Sequence, residues 1–217
     1  MVDNTQDGER PRLSVAALEE WTRNVEYVMC GIAHALNNRA AALSAVIELS
    51  RDHMDDEPDA TQSILSSELL RVTELAGVAR SVGAPRRGAE SFAPIDAANE
   101  SQTMLQLHIE QRERAATIDA STAEPVRTQR WMFVRALFAL AVAATARVAR
   151  SSPSVRISIT TEGDWTVARV DGCDARTEDL SPYTAEMARA MGGEPLDNDA
   201  CGFRLPTLAA IRRREGR

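Results

Sequence analysis

Residues 31–43 read Gly-Ile-Ala-His-Ala-Leu-Asn-Asn-Arg-Ala-Ala-Ala-Leu and lie in the middle of a long amphipathic pattern. At about 100° per residue, the apolar positions fall within one sector of a helix. These positions are Leu18, Trp21, Val25, Val28, Ile32, Leu36, Leu43 and Ile47. His34 lies roughly 200° around the helix from Ile32, on the polar side. The pattern therefore predicts that His34 faces solvent or a partner, with Asn38 one turn further along the same face.

The same pattern predicts a helical hairpin. The first helix should run from Leu13 or Ser14 to about His53, a rod of roughly 60 Å. An acidic turn containing proline at 55–59 ends it, and a second apolar helical pattern continues through about Val82. Two such helices cannot bury both apolar stripes alone. We therefore expect two hairpins to pair as a four-helix bundle in a homodimer.

A different pattern follows residues 83–88, where glycine, proline and arginine mark a domain boundary. The predicted helices beyond it are 95–114, 131–150 and 182–191, and the predicted strands are 116–120, 154–161, 165–170 and 203–205. This order predicts an α/β sandwich, with helices on one face of a mixed sheet. We expect an α+β protein with a disordered tail at 1–12, a helical hairpin domain at 13–85 and an α/β domain at 89–217.

The composition excludes several functional classes. A net charge of −7 argues against nucleic acid as the main partner. All 25 basic residues are arginine, which excludes a Walker A loop and a Schiff-base lysine. The longest apolar stretch, 136–144, is far shorter than the roughly 20 residues that cross a bilayer. Without a signal-peptide pattern at the start, we expect a cytoplasmic protein with no membrane partner.

The cysteines and the remaining histidines lie in no recognisable motif. Cys30, Cys173 and Cys201 are too widely spaced for a disulfide framework or a zinc site, so we expect buried thiols. We assign His53 to a helix end and His108 to the surface of an amphipathic helix. No metal or cofactor site is predicted from these residues.

The stretch around His34 resembles the phosphoacceptor box of the dimerisation and histidine-phosphotransfer domain of sensor histidine kinases, His-Glu/Asp-Leu-x-Asn/Thr-Pro-Leu. Leu36 and Asn38 stand at the family's spacing from the histidine. Ala35 replaces the acid that takes the ring proton during attack on ATP. Arg39 replaces the proline, so the first helix is expected to lack the family's kink. The resemblance implies that His34 is the phosphorylated residue.

Residues 92–208 resemble the catalytic ATP-binding domain of histidine kinases, in the GHKL group of ATPases. The match rests on Met-Ala-Arg-Ala-Met-Gly-Gly at 187–193 and Gly-Phe-Arg-Leu-Pro at 202–206. The stretch 137–144 offers alanine where the family's N-box holds magnesium through asparagine. The adenine-reading box survives at most as Asp-Gly-Cys-Asp at 171–174, and too few residues follow it for an ATP lid. The resemblance therefore implies a degenerate site that holds neither nucleotide nor metal.

This combination resembles dimeric histidine phosphotransferases, which look like kinases but carry phosphate between two response regulators. It implies that His34 takes phosphate from the aspartate of one receiver domain and passes it to another, without autokinase activity. Mg²⁺ would come from the receiver, and Asn38 would orient the reactants. Two alternatives stay open: a response-regulator phosphatase in which Asn38 places water, and a non-catalytic pseudo-kinase scaffold.

Overall fold

The structure, a computed structural model, describes residues 12–52, 58–83, 88–111, 116–147, 155–171, 181–196 and 201–216. Within these ranges the helices are α1 Val15–Asp52, α2 Pro58–Gly83, α3 Pro94–Leu107, α4 Arg130–Arg147, α5 Pro182–Ala190 and α6 Leu208–Arg214. The strands are β1 Glu90–Phe92, β2 Ala116–Asp119, β3 Val126–Thr128, β4 Val155–Glu162, β5 Trp165–Val170, β6 Glu194–Pro195 and β7 Gly202–Pro206.

The predicted helical hairpin is confirmed. α1 is a single helix of 38 residues, and α2 is a helix of 26 residues that packs along it. α1 continues as a helix through Arg39, the position at which the missing proline of the family's motif predicted no kink. None of the helices among the described residues has the length and hydrophobicity needed to span a bilayer.

The predicted mixed sheet is also confirmed. Five strands are ordered β2-β4-β5-β7-β6, with β2 parallel to β4 and the other neighbours antiparallel. Along β4, Val155, Ile157 and Ile159 are buried and the residues between them are more exposed. This alternation puts one face of the sheet against the helices. β1 and β3 form a separate antiparallel pair.

α4 is the central helix of the molecule. Twelve of its eighteen residues are buried, as expected for a helix that is apolar on every side. α3 and α5 flank it, and Trp21 of α1 contacts Phe138 edge-on at a ring distance of 6.2 Å. Val28 and Val82 of the hairpin belong to the same buried cluster as α4. The hairpin and the α/β part therefore share one hydrophobic core.

Several predicted bounds differ from the structure. β1, β3, β6 and α6 are seven residues or shorter, too short for periodicity to reveal them. α3 ends at Leu107 rather than near residue 114, because His108 adopts an extended backbone conformation, with φ −73° and ψ 112°. Of the predicted tail, only Arg12 lies within the described residues.

Two predictions about single residues are wrong. His108 was expected on a helix surface but is fully buried, because it follows the last turn of α3 and turns inward against rings of α1 and α4. Cys30 was expected to be buried but is exposed on α1, on a side that no described element covers. Cys201 is buried as predicted. Cys173 and His53 lie outside the described residues.

Candidate functional site

His34 and Asn38 are in contact on the exposed surface of α1. The side-chain nitrogen Nδ2 of Asn38 lies 3.3 Å from Nε2 of the His34 ring. Both side chains are exposed, and each lies on the polar side of the helix, as the helical pattern predicted. The structure thus brings together the two residues that the sequence singled out.

This contact suits one of the two neutral tautomers of His34. An amide NH₂ group can only donate a hydrogen bond, so Nε2 accepts it when the ring proton is on the other nitrogen. A neutral ring whose Nε2 accepts must carry its proton on Nδ1. In that tautomer, Nε2 presents a lone pair at the surface of α1, which is what a nucleophile requires.

The surface around this histidine has very few charges. Between Glu26 and Glu48, Arg39 is the only residue of α1 with a formal charge at neutral pH. We call the exposed residues of this stretch near the histidine the His34 surface: Met29, Cys30, Ala33, His34, Leu36, Asn37, Asn38, Ala40 and Ala41. Covering uncharged side chains with another protein costs less solvation than covering charged ones. The His34 surface is therefore suited to contact with a macromolecule.

Arg39, next to Asn38, faces α2. Its guanidinium nitrogen lies 3.2 Å from Oε2 of Glu68, and Arg71 lies 2.6 Å from the other carboxylate oxygen. Glu68 is only 5% exposed. Two guanidinium groups thus compensate a buried carboxylate between the helices of the hairpin. Nothing in the sequence identified Glu68 as the partner of Arg39.

The turn of α1 that precedes His34 is held against the end of α3. A β-carbon at Gly31 would lie 1.6 Å from the carbonyl oxygen of Leu107, so only glycine allows this approach. One turn earlier, the ring of Tyr27 packs against that of His108, with centroids 5.0 Å apart. A hydrogen bond to Glu110 raises the pKa of Tyr27. α1 is therefore anchored directly before the candidate site.

His108 is an unusual member of this contact. Its side chain is fully buried, and neither ring nitrogen has a hydrogen-bond partner among the described residues. Burial lowers the pKa of His108 below its ordinary value of 6.5, and nearby Glu110 opposes this shift. The ring is therefore held neutral near pH 7. Nothing in the sequence distinguished it from a surface histidine.

A second anchor joins both hairpin helices to α4. The guanidinium group of Arg135 lies 4.6 Å from the ring centre of Trp21 and 4.8 Å from that of Trp131. It also donates a hydrogen bond of 2.6 Å to the carbonyl of Val82 at the end of α2. Tyr183 stacks on Trp21 at 4.8 Å, and burial raises the pKa of Tyr183 to about 12. An arginine within an otherwise apolar helix was the signal that could have revealed this junction.

Glu20 of α1 anchors the hairpin to α5. Its carboxylate accepts hydrogen bonds from the hydroxyl group of Ser181 and from the backbone N–H of Tyr183. A carboxylate at this position satisfies unpaired N–H groups in the first turn of a helix. The first half of α1 is thus fixed to α5 as well as to α3 and α4.

The residues that resemble parts of a nucleotide site lie in the buried helix α4 and at the turn after β5. The stretch 137–144 lies in α4, where Ala139 and Ala141 are buried in the core. Asp171, at the turn after β5, accepts a hydrogen bond of 2.6 Å from Ser158. Residues 172–180 lie outside the described part of the chain. Among the described residues, no group of three or more His, Cys, Asp or Glu side chains is arranged to hold a metal ion.

Comparisons with known proteins find similarity among solved structures. No family model matches the chain, and no curated protein matches it. Among solved structures it is similar to the Acinetobacter baumannii histidine kinase AdeS, with 15% sequence identity and a TM-score of 0.42. The alignment covers 81% of this chain and 98% of that chain.

Proposed function

We propose that this chain is a histidine phosphotransferase of two-component signalling, which relays phosphate between response-regulator aspartates through a phosphohistidine at His34. The observation that carries the proposal is the exposed His34 ring, whose Nε2 lies 3.3 Å from the side-chain nitrogen of Asn38. A nucleophilic nitrogen in the middle of an exposed, nearly uncharged helix surface is suited to attack a group presented by another protein.

In the proposed reaction, Nε2 of His34 attacks the phosphorus of an aspartyl phosphate on one receiver domain. The bond between phosphorus and the aspartate oxygen breaks, and the aspartate leaves as a carboxylate. In the second step, an aspartate oxygen of another receiver attacks the phosphohistidine, and the nitrogen–phosphorus bond breaks. In this proposal the receiver supplies the Mg²⁺, and this chain binds no cofactor of its own.

This chemistry is compatible with Ala35 in place of an acid. In the tautomer with the ring proton on Nδ1, the lone pair on Nε2 is already available. Attack on the phosphorus therefore needs no base to remove a proton from Nε2. When Nε2 bonds to phosphorus, the NH₂ group of Asn38 is released and can donate to a phosphoryl oxygen. Asn38 thus orients the phosphoryl group rather than reacting with it.

The same proposal includes a homodimer, supported by the hydrophobic side chains that the hairpin leaves exposed. Of the eleven large hydrophobic residues exposed in the described part of the chain, nine are in α1 or α2. They are Val15, Leu18, Met29, Leu36, Ile47, Leu49, Ile64, Leu69 and Leu70. Such a concentration of exposed apolar side chains on the hairpin is typical of an interaction surface. Pairing of two hairpins into a four-helix bundle would cover much of it.

We propose further that the α/β part binds no nucleotide and instead widens the surface on which receivers dock. The support is the alanine-lined, buried α4 in place of an N-box with a magnesium-binding asparagine. Isothermal titration calorimetry with ATP and Mg²⁺ tests this point, and we expect no saturable heat. Micromolar binding would restore the kinase interpretation.

One experiment separates the proposed activity from its two alternatives. Receiver domains are phosphorylated with radiolabelled acetyl phosphate, purified, and incubated with the wild-type protein and with His34→Ala. A phosphotransferase takes the label onto His34. A phosphatase releases inorganic phosphate in both proteins, because it uses Asn38, whose amide remains exposed. A scaffold binds the receiver, takes no label onto His34 and releases no inorganic phosphate.

A further inference from the structure

The half-buried side chains of α1 and α2 near the candidate site are mostly alanine, valine and leucine. Around Arg39, the half-buried residues at helical spacing are Ala35, Ala42, Leu43 and Val46. Around Glu68, they are Leu65, Val72 and Leu75. Aliphatic contacts are non-directional, so a small shift of α2 along α1 changes their energy little. Aliphatic packing alone therefore specifies the alignment of the two helices weakly.

The ion pair between Arg39 and Glu68 does distinguish one alignment from another. One guanidinium nitrogen of Arg39 lies 3.3 Å and 3.2 Å from the two carboxylate oxygens of Glu68. Sliding α2 by one turn would withdraw the carboxylate from Arg39. Arg71 would move with it, because it sits on the same helix, three residues away. The slide would take from the carboxylate its partner across the interface and leave it paired with Arg71 alone, which is unfavourable.

We infer that Arg135 fixes the register of α2 at its end, that the Arg39–Glu68 pair sets the register of α2 on α1 beside His34, and that Arg39 and Glu68 are positioning residues for phosphotransfer at His34. This inference rests on the proposed function. In an antiparallel hairpin with Arg39 opposite Glu68, the equal rise of the two helices puts Thr73 level with His34. The register thus determines which side chains of α2 flank the histidine when a receiver docks.

A matched pair of variants tests the inference. Arg39→Ala and Arg71→Ala each remove one guanidinium group from the Glu68 carboxylate, but only Arg39→Ala removes the link between the helices. We expect Arg39→Ala to slow phosphotransfer about tenfold or more, since small displacements of reacting groups have effects of this size. Arg71→Ala should stay within about twofold of the wild type, as expected for an exposed ion-pair partner. Arg39→Lys, which keeps a positive charge opposite Glu68, should retain most of the rate.

A second readout measures the register without reference to activity. Spin labels are attached at Ser44→Cys and Ser63→Cys, two exposed positions on α1 and α2, with Cys30 and Cys173 replaced by serine. An excess of unlabelled chain keeps each measured distance within one chain. We expect one distance for the wild type and Arg71→Ala, and a shifted or broadened distribution for folded Arg39→Ala.

Each result decides a separate point. An unchanged distance in Arg39→Ala overturns the register role, even if transfer slows. A changed distance with an unchanged transfer rate overturns the positioning role. If the wild-type protein transfers no phosphate through His34, the proposed function fails, and the distances still decide whether the ion pair sets the register.

Discussion

Gly31 of α1 and Leu107 of α3 approach so closely that a β-carbon on the glycine would lie 1.6 Å from the leucine carbonyl oxygen. We expect Gly31→Ala to destabilise the protein by about 1–3 kcal/mol, because the added methyl group must push α1 away from α3. Urea unfolding curves measure the change in free energy of unfolding.

Gly77 provides the control for this prediction. It lies within α2, and no atom lies within 4 Å of a β-carbon placed there. Gly77→Ala should therefore stabilise the protein by up to about 1 kcal/mol through the higher helix propensity of alanine. Equal effects at the two glycines would show that close packing at Gly31 is not the cause.

His34→Ala should abolish phosphotransfer without disturbing the fold. The side chain is exposed, so we expect the free energy of unfolding to change by no more than about 0.5 kcal/mol. Transfer should stop completely because alanine offers no nucleophile. The two measurements are urea unfolding and label transfer from a phosphorylated receiver. Full transfer by the variant, or phosphate mapped to His53 or His108, would contradict the assignment.

Asn38→Ala should slow transfer without weakening receiver binding. The amide orients the His34 ring through a contact of 3.3 Å but does not react itself, so a loss of about 10- to 100-fold is expected. Asn37→Ala is the matched control, because Asn37 is also an exposed asparagine of α1 and has no contact with the ring in this structure. Equal losses in both variants would argue for a general effect on the helix.

Ile47→Glu should weaken the proposed homodimer. Ile47 is 48% exposed in the single chain, and association would bury the introduced charge. Light scattering should give twice the 23.7 kDa chain mass for the wild type and a lower mass for the variant. Ala45→Glu, at an exposed position on the opposite side of α1 from Ile47, should leave the mass unchanged. A wild-type monomer at micromolar concentration would contradict the prediction.

The buried His108 should make the protein less stable in mild acid. Its pKa is lowered in the folded state by burial, so the unfolded chain binds the proton more tightly. Its contribution is fully favourable above the ordinary pKa of 6.5 and is lost as the pH falls through the lower folded value. The slope reaches at most about 1.4 kcal/mol per pH unit.

His108→Leu isolates this effect from the titration of carboxyl groups. The measurement is the free energy of unfolding of both proteins across this pH range. The difference between wild type and variant should change with pH below 6.5 and stay constant above it. Parallel curves throughout would mean that His108 is protonated equally in the folded and unfolded states.

Features that depend on local periodicity were predictable from the sequence. The long α1, the alternating β4 and the strand β5 carry repeated apolar positions over many residues, and their bounds agree with the predictions to within a few residues. The contact between His34 and Asn38 follows from their spacing of four residues on a helix.

Features that depend on contacts distant in sequence were not predictable. Glu68 is 29 residues from Arg39, and no local pattern pairs them. His108 is buried because Tyr27 and Phe138, far away in the chain, meet at its ring. The same reason explains the exposed Cys30, whose side of α1 could be known only after the packing of α2 and α3.

The shared core limits how this protein can be dissected into fragments. A fragment that starts at residue 89 would lack Trp21 and Val28, and it would present the face of α4 around Phe138 to water. Such a fragment would be prone to aggregate, since newly exposed apolar surface promotes association. A hairpin expressed alone would lose the contacts with α3, α4 and α5 that hold the first half of α1. Experiments that ask what either half does are therefore best made by point substitution in the full chain.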